Sequence, residues 1–124
     1  MVRKSKRKQA VVVERRKDLR VAVDADIGWT IDGTPNFGRL ADMSMAGCFV
    51  LAAGEFSDGQ MVRLYFPNPE GSSVEILSEI KNHATEIGFG VRFVDLTDFQ
   101  KKFLHSFGKL HHVYRKQTDP DFSR

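Results

Sequence analysis

Alternating apolar and polar residues run through most of the chain. Every second residue is apolar from Val21 to Ile31, and the same alternation returns from Met61 to Phe66. A period of two is typical of a β-strand with one buried face. Comparable segments lie at residues 37–45, 48–52, 74–83 and 87–94, which brings the predicted number of strands to six.

Turn residues separate these segments. Asp32-Gly33 and Asp58-Gly59 are both typical of hairpin turns, because aspartate and glycine tolerate the positive φ that such turns need. Two glycines in the last strand, at positions 88 and 90, indicate tight curvature or the close approach of another chain segment or a ligand. Six short strands without intervening helices favour an antiparallel barrel or a sandwich.

The period changes after residue 96. Thr97 and Gln100 fit a capping box, in which each side chain satisfies a backbone amide at the start of a helix. The apolar residues that follow are three or four positions apart: Phe99, Phe103, Phe107, Leu110 and Tyr114. This spacing predicts one apolar stripe on an amphipathic helix. We expect the phenylalanines to cover an open end of a barrel, and a partner-binding helix is the alternative.

Composition and charge divide the 124 residues into an arm and a body. The chain is 41% hydrophobic and 28% charged, and its ten phenylalanines can fill a compact core. Residues 1–20 carry a net charge of +7 and the remainder −4, which together give the overall +3. We therefore expect a flexible basic arm at 1–13, one folded domain at 14–116 and a frayed tail at 117–124. A basic arm on an acidic body favours a phosphate-bearing ligand, whereas a solvated tail is the alternative.

Several function classes find no support in the sequence. The single cysteine, Cys48, excludes an internal disulfide and a cysteine-based zinc site. No two histidines of the predicted helix have the i, i+4 spacing of a metal site. Neither a phosphate-binding P-loop nor a Gly-x-Ser-x-Gly motif occurs, and no apolar run approaches the ~20 residues that span a bilayer. We predict a non-catalytic cytoplasmic protein without a metal or cofactor.

Arg15, Arg16 and Arg20 form the first stretch with candidate binding chemistry. Arg16 and Arg20 are four positions apart, so they share a side both in a helical turn and in an extended arm. Arginine can fork onto phosphate oxygens or onto the O6/N7 edge of guanine, and its plane can stack on a base. The three residues suit a ligand with phosphates and purine faces, and a solvated charge run is the alternative.

Residues 42–47 form the second stretch. Asp42 can accept hydrogen bonds from the N1/N2 edge of guanine, or it can fix an arginine. Ser44 can bond a phosphate or its own backbone, and Gly47 permits positive φ or the close approach of a ligand. A simple turn between strands has the same residue types and is the alternative.

Taken together, the two stretches resemble the signatures of the PilZ domain family. Residues 16–20 match an arginine-x-x-x-arginine signature, and residues 42–47 match an aspartate/asparagine-x-serine-x-x-glycine signature one β-hairpin later. Residues 90–93, Gly-Val-Arg-Phe, add to the likeness, which covers roughly residues 14–115. The resemblance implies a bacterial receptor for cyclic di-GMP. It also implies an all-β fold with one C-terminal helix, a six-stranded antiparallel β-barrel of the split-barrel type.

The resemblance also implies roles for individual residues. Arg16 and Arg20 would clamp phosphate and guanine, while Asp42, Ser44 and Gly47 would hold the other side of the ligand.

Two further arginines extend this prediction. An arginine at position 15 is similar to the family version that accommodates an intercalated cyclic di-GMP dimer, so about two ligands per chain are expected. Arg92 on the last strand would also face the ligand, with a surface arginine as the alternative.

The resemblance implies a partner and leaves two alternatives. Ligand binding would order the arm and present a new surface to an unidentified downstream protein. One alternative is a ligand-independent protein-interaction module. A nucleic-acid-binding barrel that uses the basic tail is less favoured, because it would need exposed aromatic residues between basic ones on its strands, and Trp29 and Tyr65 give only thin support.

Overall fold

The protein forms a closed β-barrel with one helix, in a computed structural model that describes residues 19–113. Its elements are β1 (Val21–Ile31), β2 (Thr34–Met43), β3 (Gly47–Leu51), β4 (Met61–Pro67), β5 (Ser73–Ala84), β6 (Gly88–Phe93) and α1 (Asp98–His111). All paired strands are antiparallel, and the order β1-β2-β3-β6-β5-β4 closes because β4 pairs with β1. The predicted six-stranded antiparallel barrel with a C-terminal helix is confirmed. The predicted arm at 1–13 and tail at 117–124 lie outside the described residues.

The period-two pattern places one face of each strand in the barrel interior. The buried side chains of β1 are those of Val23, Ala25, Ile27 and Trp29, and those of β4 are Val62, Leu64 and Phe66. Their neighbours along each strand face outward or are only half-buried. The alternation in the sequence therefore gave the inner face of both strands correctly.

The first predicted hairpin is confirmed, and the second is wrong. Asp32 and Gly33 have φ values of 58° and 80° and join β1 directly to β2. The Asp58-Gly59 turn connects β3 to β4, but these strands do not pair, because β3 lies between β2 and β6. The turn is hydrogen-bonded to β5 instead, since the Gly59 amide donates to the Ile80 carbonyl at 2.7 Å.

Helix α1 begins at the predicted capping box and covers one end of the barrel. The Gln100 amide donates to Thr97 Oγ1 at 3.1 Å, and the Thr97 amide donates to Gln100 Oε1 at 2.8 Å. The rings of Phe103 and Phe107 lie 6.2 Å and 5.2 Å from the ring of Phe66, which is fully buried in β4. The expectation that phenylalanines of the helix pack over the barrel is therefore correct for these two residues.

The predicted stripe is wrong at both of its described ends. Phe99 and Leu110 are each 65% exposed, whereas Leu104, which the spacing argument omitted, is fully buried. At 3.6 residues per turn, Phe99 and Leu110 lie about 140° and about 120° around the helix from Leu104. The buried face is therefore centred on Leu104 and Phe107. Tyr114 lies outside the described residues.

No helix within residues 19–113 is long and apolar enough to cross a membrane.

Replacement of Phe107 by alanine should destabilise the protein far more than the same replacement of Phe99. Phe107 is 3% exposed, so its loss should cost about 3–5 kcal/mol, while the loss of the exposed Phe99 should change the free energy of unfolding by less than about 0.5 kcal/mol. Urea unfolding followed by the fluorescence of Trp29, the single tryptophan, measures both values. Equal losses for the two variants would show that the buried face of the helix is assigned wrongly.

Candidate functional site

A cleft of about 490 Å³ lies on the outer face of the barrel, across β2, β3, β6 and β5. The residues that line it are Arg20, Asp42, Ala46, Gly47, Phe49, Lys81, Asn82, Gly90, Val91 and Arg92. The cleft therefore brings together four of the predicted site residues, from both signature stretches and from the last strand. Arg15 and Arg16 lie outside the described residues.

Strand register explains why residues far apart in sequence meet here. Gly47 pairs with Arg92 and Phe49 pairs with Gly90 across β3 and β6, while Asn82 of β5 pairs with Gly90 from the other side. Inward-facing and outward-facing positions alternate along each strand, and paired residues face the same side of a sheet. The outward-facing positions of three neighbouring strands thus form one continuous floor.

Gly47 is required by the neighbouring strand. A Cβ atom at this position would lie 1.9 Å from the carbonyl oxygen of Val91, which no side chain can tolerate. Gly47 is not among the glycines with positive φ, and what approaches it is the backbone of β6, whereas the close approach of a ligand stays a prediction. The absent side chain lets β3 pair closely with β6, and this pairing brings Gly47 beside Arg92 in the floor of the cleft.

Ser44 bonds its own backbone and does not line the cleft. Its Oγ accepts hydrogen bonds from the amides of Ala46 at 3.1 Å and Gly47 at 3.3 Å, and its own amide donates to the Gly47 carbonyl at 2.8 Å. The residue is 6% exposed. These contacts fix the turn between Asp42 and Gly47. In this geometry Ser44 therefore positions two residues of the cleft without lining it.

Arg20 and Asp42 form an ion pair at the mouth of the cleft, with 2.7 Å between Arg20 Nη1 and Asp42 Oδ1. Their side chains are 48% and 37% exposed, and ion pairs of this kind contribute about 0–1 kcal/mol because water screens them. The pair therefore orients Arg20 at little energetic cost and leaves both groups able to rearrange.

The lining of the cleft favours an anionic ligand. Arg20, Lys81 and Arg92 contribute three cations, and Asp42 contributes the single acid among the lining residues. Lys81 is only loosely engaged, with 3.8 Å between its ammonium and the Glu79 carboxylate. A net positive cleft attracts phosphate groups and can bond them through charged donors.

Three lining residues were missed by the sequence analysis, namely Phe49, Lys81 and Asn82. The outward phase of β3 gives a weak signal for Phe49. The outward phase of β5 gives a similar signal for Lys81, but no local signal identifies Asn82, because its exposure depends on a shift in the pairing of β5 with β6.

The described residues lend no support to metal or thiol chemistry. No group of three His, Cys, Asp or Glu side chains that could hold a metal ion occurs within residues 19–113. Burial raises the pKa of the Cys48 thiol, so this side chain stays protonated inside the barrel.

The aromatic residues proposed for nucleic-acid binding do not form an exposed surface. Trp29 is 4% exposed and lies in the core, with its ring 5.3 Å from that of Phe89. Tyr65 is half-buried, and its hydroxyl lies 3.4 Å from Thr30 Oγ1. The burial of Trp29 agrees with its place in the apolar phase of β1, and the nucleic-acid alternative loses one of its two aromatic candidates.

A second cleft, of about 540 Å³, is lined in part by sequence neighbours of the residues that line the first. It is mostly apolar and is lined by Leu19, Val21, Met43, Ser44, Met45, Leu104, His105, Gly108, Lys109 and His112. The chain alternates between the two clefts, because Arg20 and Asp42 line the first while their neighbours Leu19 and Met43 line the second. Residues 19–21 and 42–47 thus separate a charged cleft from an apolar one.

Comparison with solved structures shows the same fold in several proteins. The inhibitor of motility MotI/DgrA of Bacillus subtilis matches with a TM-score of 0.61 and 16% identity over 75% of this chain and 48% of its own. PlzA of Borreliella burgdorferi in complex with c-di-GMP matches with a TM-score of 0.59 and 12% identity over 82% of this chain and 45% of its own.

YcgR of Escherichia coli, also in complex with c-di-GMP, matches with a TM-score of 0.56 and 14% identity over 77% of this chain and 47% of its own. This chain therefore spans about half the length of each of these three proteins.

Sequence comparisons give the family. A search of curated proteins returns no significant match. The family model of the PilZ domain matches residues 14–107, which is most of the chain and includes both signature stretches and the barrel. This protein therefore belongs to the PilZ domain family.

Proposed function

We propose that this protein is a non-catalytic receptor for cyclic di-GMP. The observation that carries the proposal is the cleft itself, in which Arg20, Asp42, Gly47 and Arg92 converge from three parts of the sequence. Two proteins with the same fold, PlzA and YcgR, are seen in complex with c-di-GMP, which supports this choice of ligand.

The chemistry of the cleft suits a cyclic dinucleotide with two phosphates and two guanines. Arg20 and Arg92 can each donate to phosphate oxygens or to the O6/N7 edge of guanine. Asp42 can accept from N1–H and N2–H of guanine, because a carboxylate offers two acceptor oxygens on one side. Gly47 lets β3 lie close against β6, so that Arg92 stands beside it in the cleft.

The arginines just before the described residues complete the proposed clamp. Arg16 precedes Arg20 by one signature spacing, and Arg15 precedes Arg16. We propose that both close over a ligand already held by Arg20 and Asp42, and that Arg15 admits a second, intercalated molecule. Binding would then order the arm, and charge steering by the basic residues at 3–8 would make capture sensitive to salt.

The proposed output is a change in the surface that a downstream protein reads. Leu19 and Met45 are 67% and 38% exposed and line the apolar cleft, while their chain neighbours Arg20 and Ala46 line the charged one. Ligand contacts that shift residues 19–20 or the 42–47 turn must therefore also shift the apolar wall. This coupling links ligand binding to a protein-binding face through one backbone segment.

Arg20→Ala should weaken cyclic di-GMP binding tenfold to a hundredfold, because a hydrogen bond to a charged group contributes about 1.5–3 kcal/mol. The melting temperature without ligand should hardly change, since the ion pair with Asp42 is exposed. Arg16→Ala should weaken binding in the same way. Isothermal titration calorimetry and thermal unfolding measure the two quantities.

Arg63→Ala is the matched control for Arg20→Ala. Arg63 is also half-exposed and forms a 2.7 Å ion pair, with Glu75, but it does not line the charged cleft. Its removal should leave the affinity unchanged. If the folded, unaltered protein showed no saturable heat at micromolar ligand, the receptor proposal would fail and the ligand-independent interaction module would be favoured.

The titration endpoint of the unaltered protein should be about two molecules of cyclic di-GMP per chain. Arg15→Leu should lower it towards one, because an apolar residue there removes the proposed contact to the second molecule. Calorimetry at protein concentrations well above the dissociation constant gives the endpoint directly. An endpoint of one for the unaltered protein would refute the intercalated dimer and leave the receptor function intact.

A further inference from the structure

Asn82 lies at an irregularity in β5, where the pairing with β6 shifts by one residue. Ile80 pairs with Val91 and Asn82 pairs with Gly90, so Lys81 has no partner opposite it. In a regular strand, successive side chains face opposite sides, whereas a bulge re-aims them. As a result, the consecutive residues Lys81 and Asn82 both line the charged cleft.

The missing side chain at Gly90 makes room for the carboxamide of Asn82. A Cβ atom at Gly90 would lie 2.7 Å from Asn82 Oδ1, so the carboxamide occupies space that a side chain would otherwise need. Phe49 pairs with Gly90 from the other side. Phe49, Gly90 and Asn82 therefore form a row across three strands, with a carboxamide at one end and an aromatic ring at the other.

The carboxamide of Asn82 is exposed and has no hydrogen-bond partner among residues 19–113. A carboxamide offers two N–H donors and an acceptor oxygen in one plane. Asn82 therefore points unused donors and acceptors into a cleft whose other polar groups are ionic. Such a group contributes little to the attraction of phosphate and is suited to the neutral edge of a base.

We propose that Asn82, presented over Gly90 by the β5 bulge, binds the ligand directly and reads the O6 and N1–H edge of one guanine. Its N–H group donates to O6, and its oxygen accepts from N1–H. This inference rests on the proposed receptor function and adds a base-reading residue outside both signature stretches. The 2-amino group of that guanine is not used, because one carboxamide satisfies only two neighbouring groups in this arrangement.

Two ligands that differ only at the 2-amino group test this assignment. Cyclic di-IMP carries hypoxanthine, which keeps O6 and N1–H and lacks the 2-amino group. Asn82→Ala should therefore weaken cyclic di-GMP and cyclic di-IMP about equally, by roughly tenfold, since the lost contacts are common to both. Calorimetry gives the affinities, and the melting temperature without ligand shows that each variant is folded.

Asn82→Asp tests the same contact by changing the preference between the two ligands. A carboxylate has two acceptors and no donor, so it matches N1–H and N2–H of guanine and loses O6. The added negative charge weakens both ligands alike, and the ratio of their affinities cancels that effect. The preference for cyclic di-GMP over cyclic di-IMP should therefore rise about tenfold relative to the unaltered protein, because the variant gains a charge-assisted bond to the 2-amino group.

Asn36 provides the matched control. It is exposed on β2, its amide nitrogen donates to the Thr34 carbonyl at 3.1 Å, and it does not line the charged cleft. Asn36→Ala and Asn36→Asp should leave both affinities and their ratio unchanged.

Two results would overturn the role of Asn82. One is an unchanged affinity for cyclic di-GMP in Asn82→Ala. The other is an equal loss of affinity for both ligands in Asn82→Asp, which would show that the variant acts only through its added negative charge. Failure of the unaltered, folded protein to bind cyclic di-GMP is a different result, because it contradicts the receptor function itself.

Discussion

The close contact between β3 and β6 is the constraint on which both the barrel and the charged cleft depend. A Cβ atom would lie 1.9 Å from the Val91 carbonyl oxygen at Gly47, and 2.0 Å from the Val50 carbonyl oxygen at Gly88. Both positions lack a side chain, so all five residues of β3 pair with β6 and the barrel closes. The same pairing brings Gly47 beside Arg92. The pairing of β3 with β6 therefore both closes the barrel and brings residues of the charged cleft together.

The residues of the second signature stretch make different contacts according to their positions in β2, the turn and β3. In the 42–47 stretch, Asp42 and Gly47 line the charged cleft, Met43 is buried against the apolar side, and Ser44 fixes the turn. Neighbouring residues of one backbone segment thus line the charged cleft and the apolar cleft. We propose that a change in one set shifts the other, because both belong to the same short backbone segment.

Sequence patterns predicted the features that depend on local geometry. They failed for features that depend on which distant segments pair. The period of two in β1 and β4 gave their buried faces, and the Asp32-Gly33 dipeptide gave a true hairpin. The Asp58-Gly59 dipeptide has the same local preference, yet which strands pair depends on the closure of the whole barrel. The signature residues Arg20, Asp42 and Gly47 were found through a family resemblance. Asn82 was not, because its orientation depends on a register shift against β6.

The cleft combines a fixed floor with adjustable charges. The floor is fixed by strand pairing and by the hydrogen bonds of Ser44, whereas the Arg20–Asp42 pair is half-exposed and contributes at most about 1 kcal/mol. Exchange of Asp42 for a ligand phosphate as the partner of Arg20 therefore costs little. Surface charges of this kind govern the rate and selectivity of capture more than its strength. If cyclic di-GMP is the ligand, much of the affinity must come from groups that exclude water once it is bound. We propose that the arginines that precede Arg20 in the sequence do this, so that closure of the arm and tight binding should occur together.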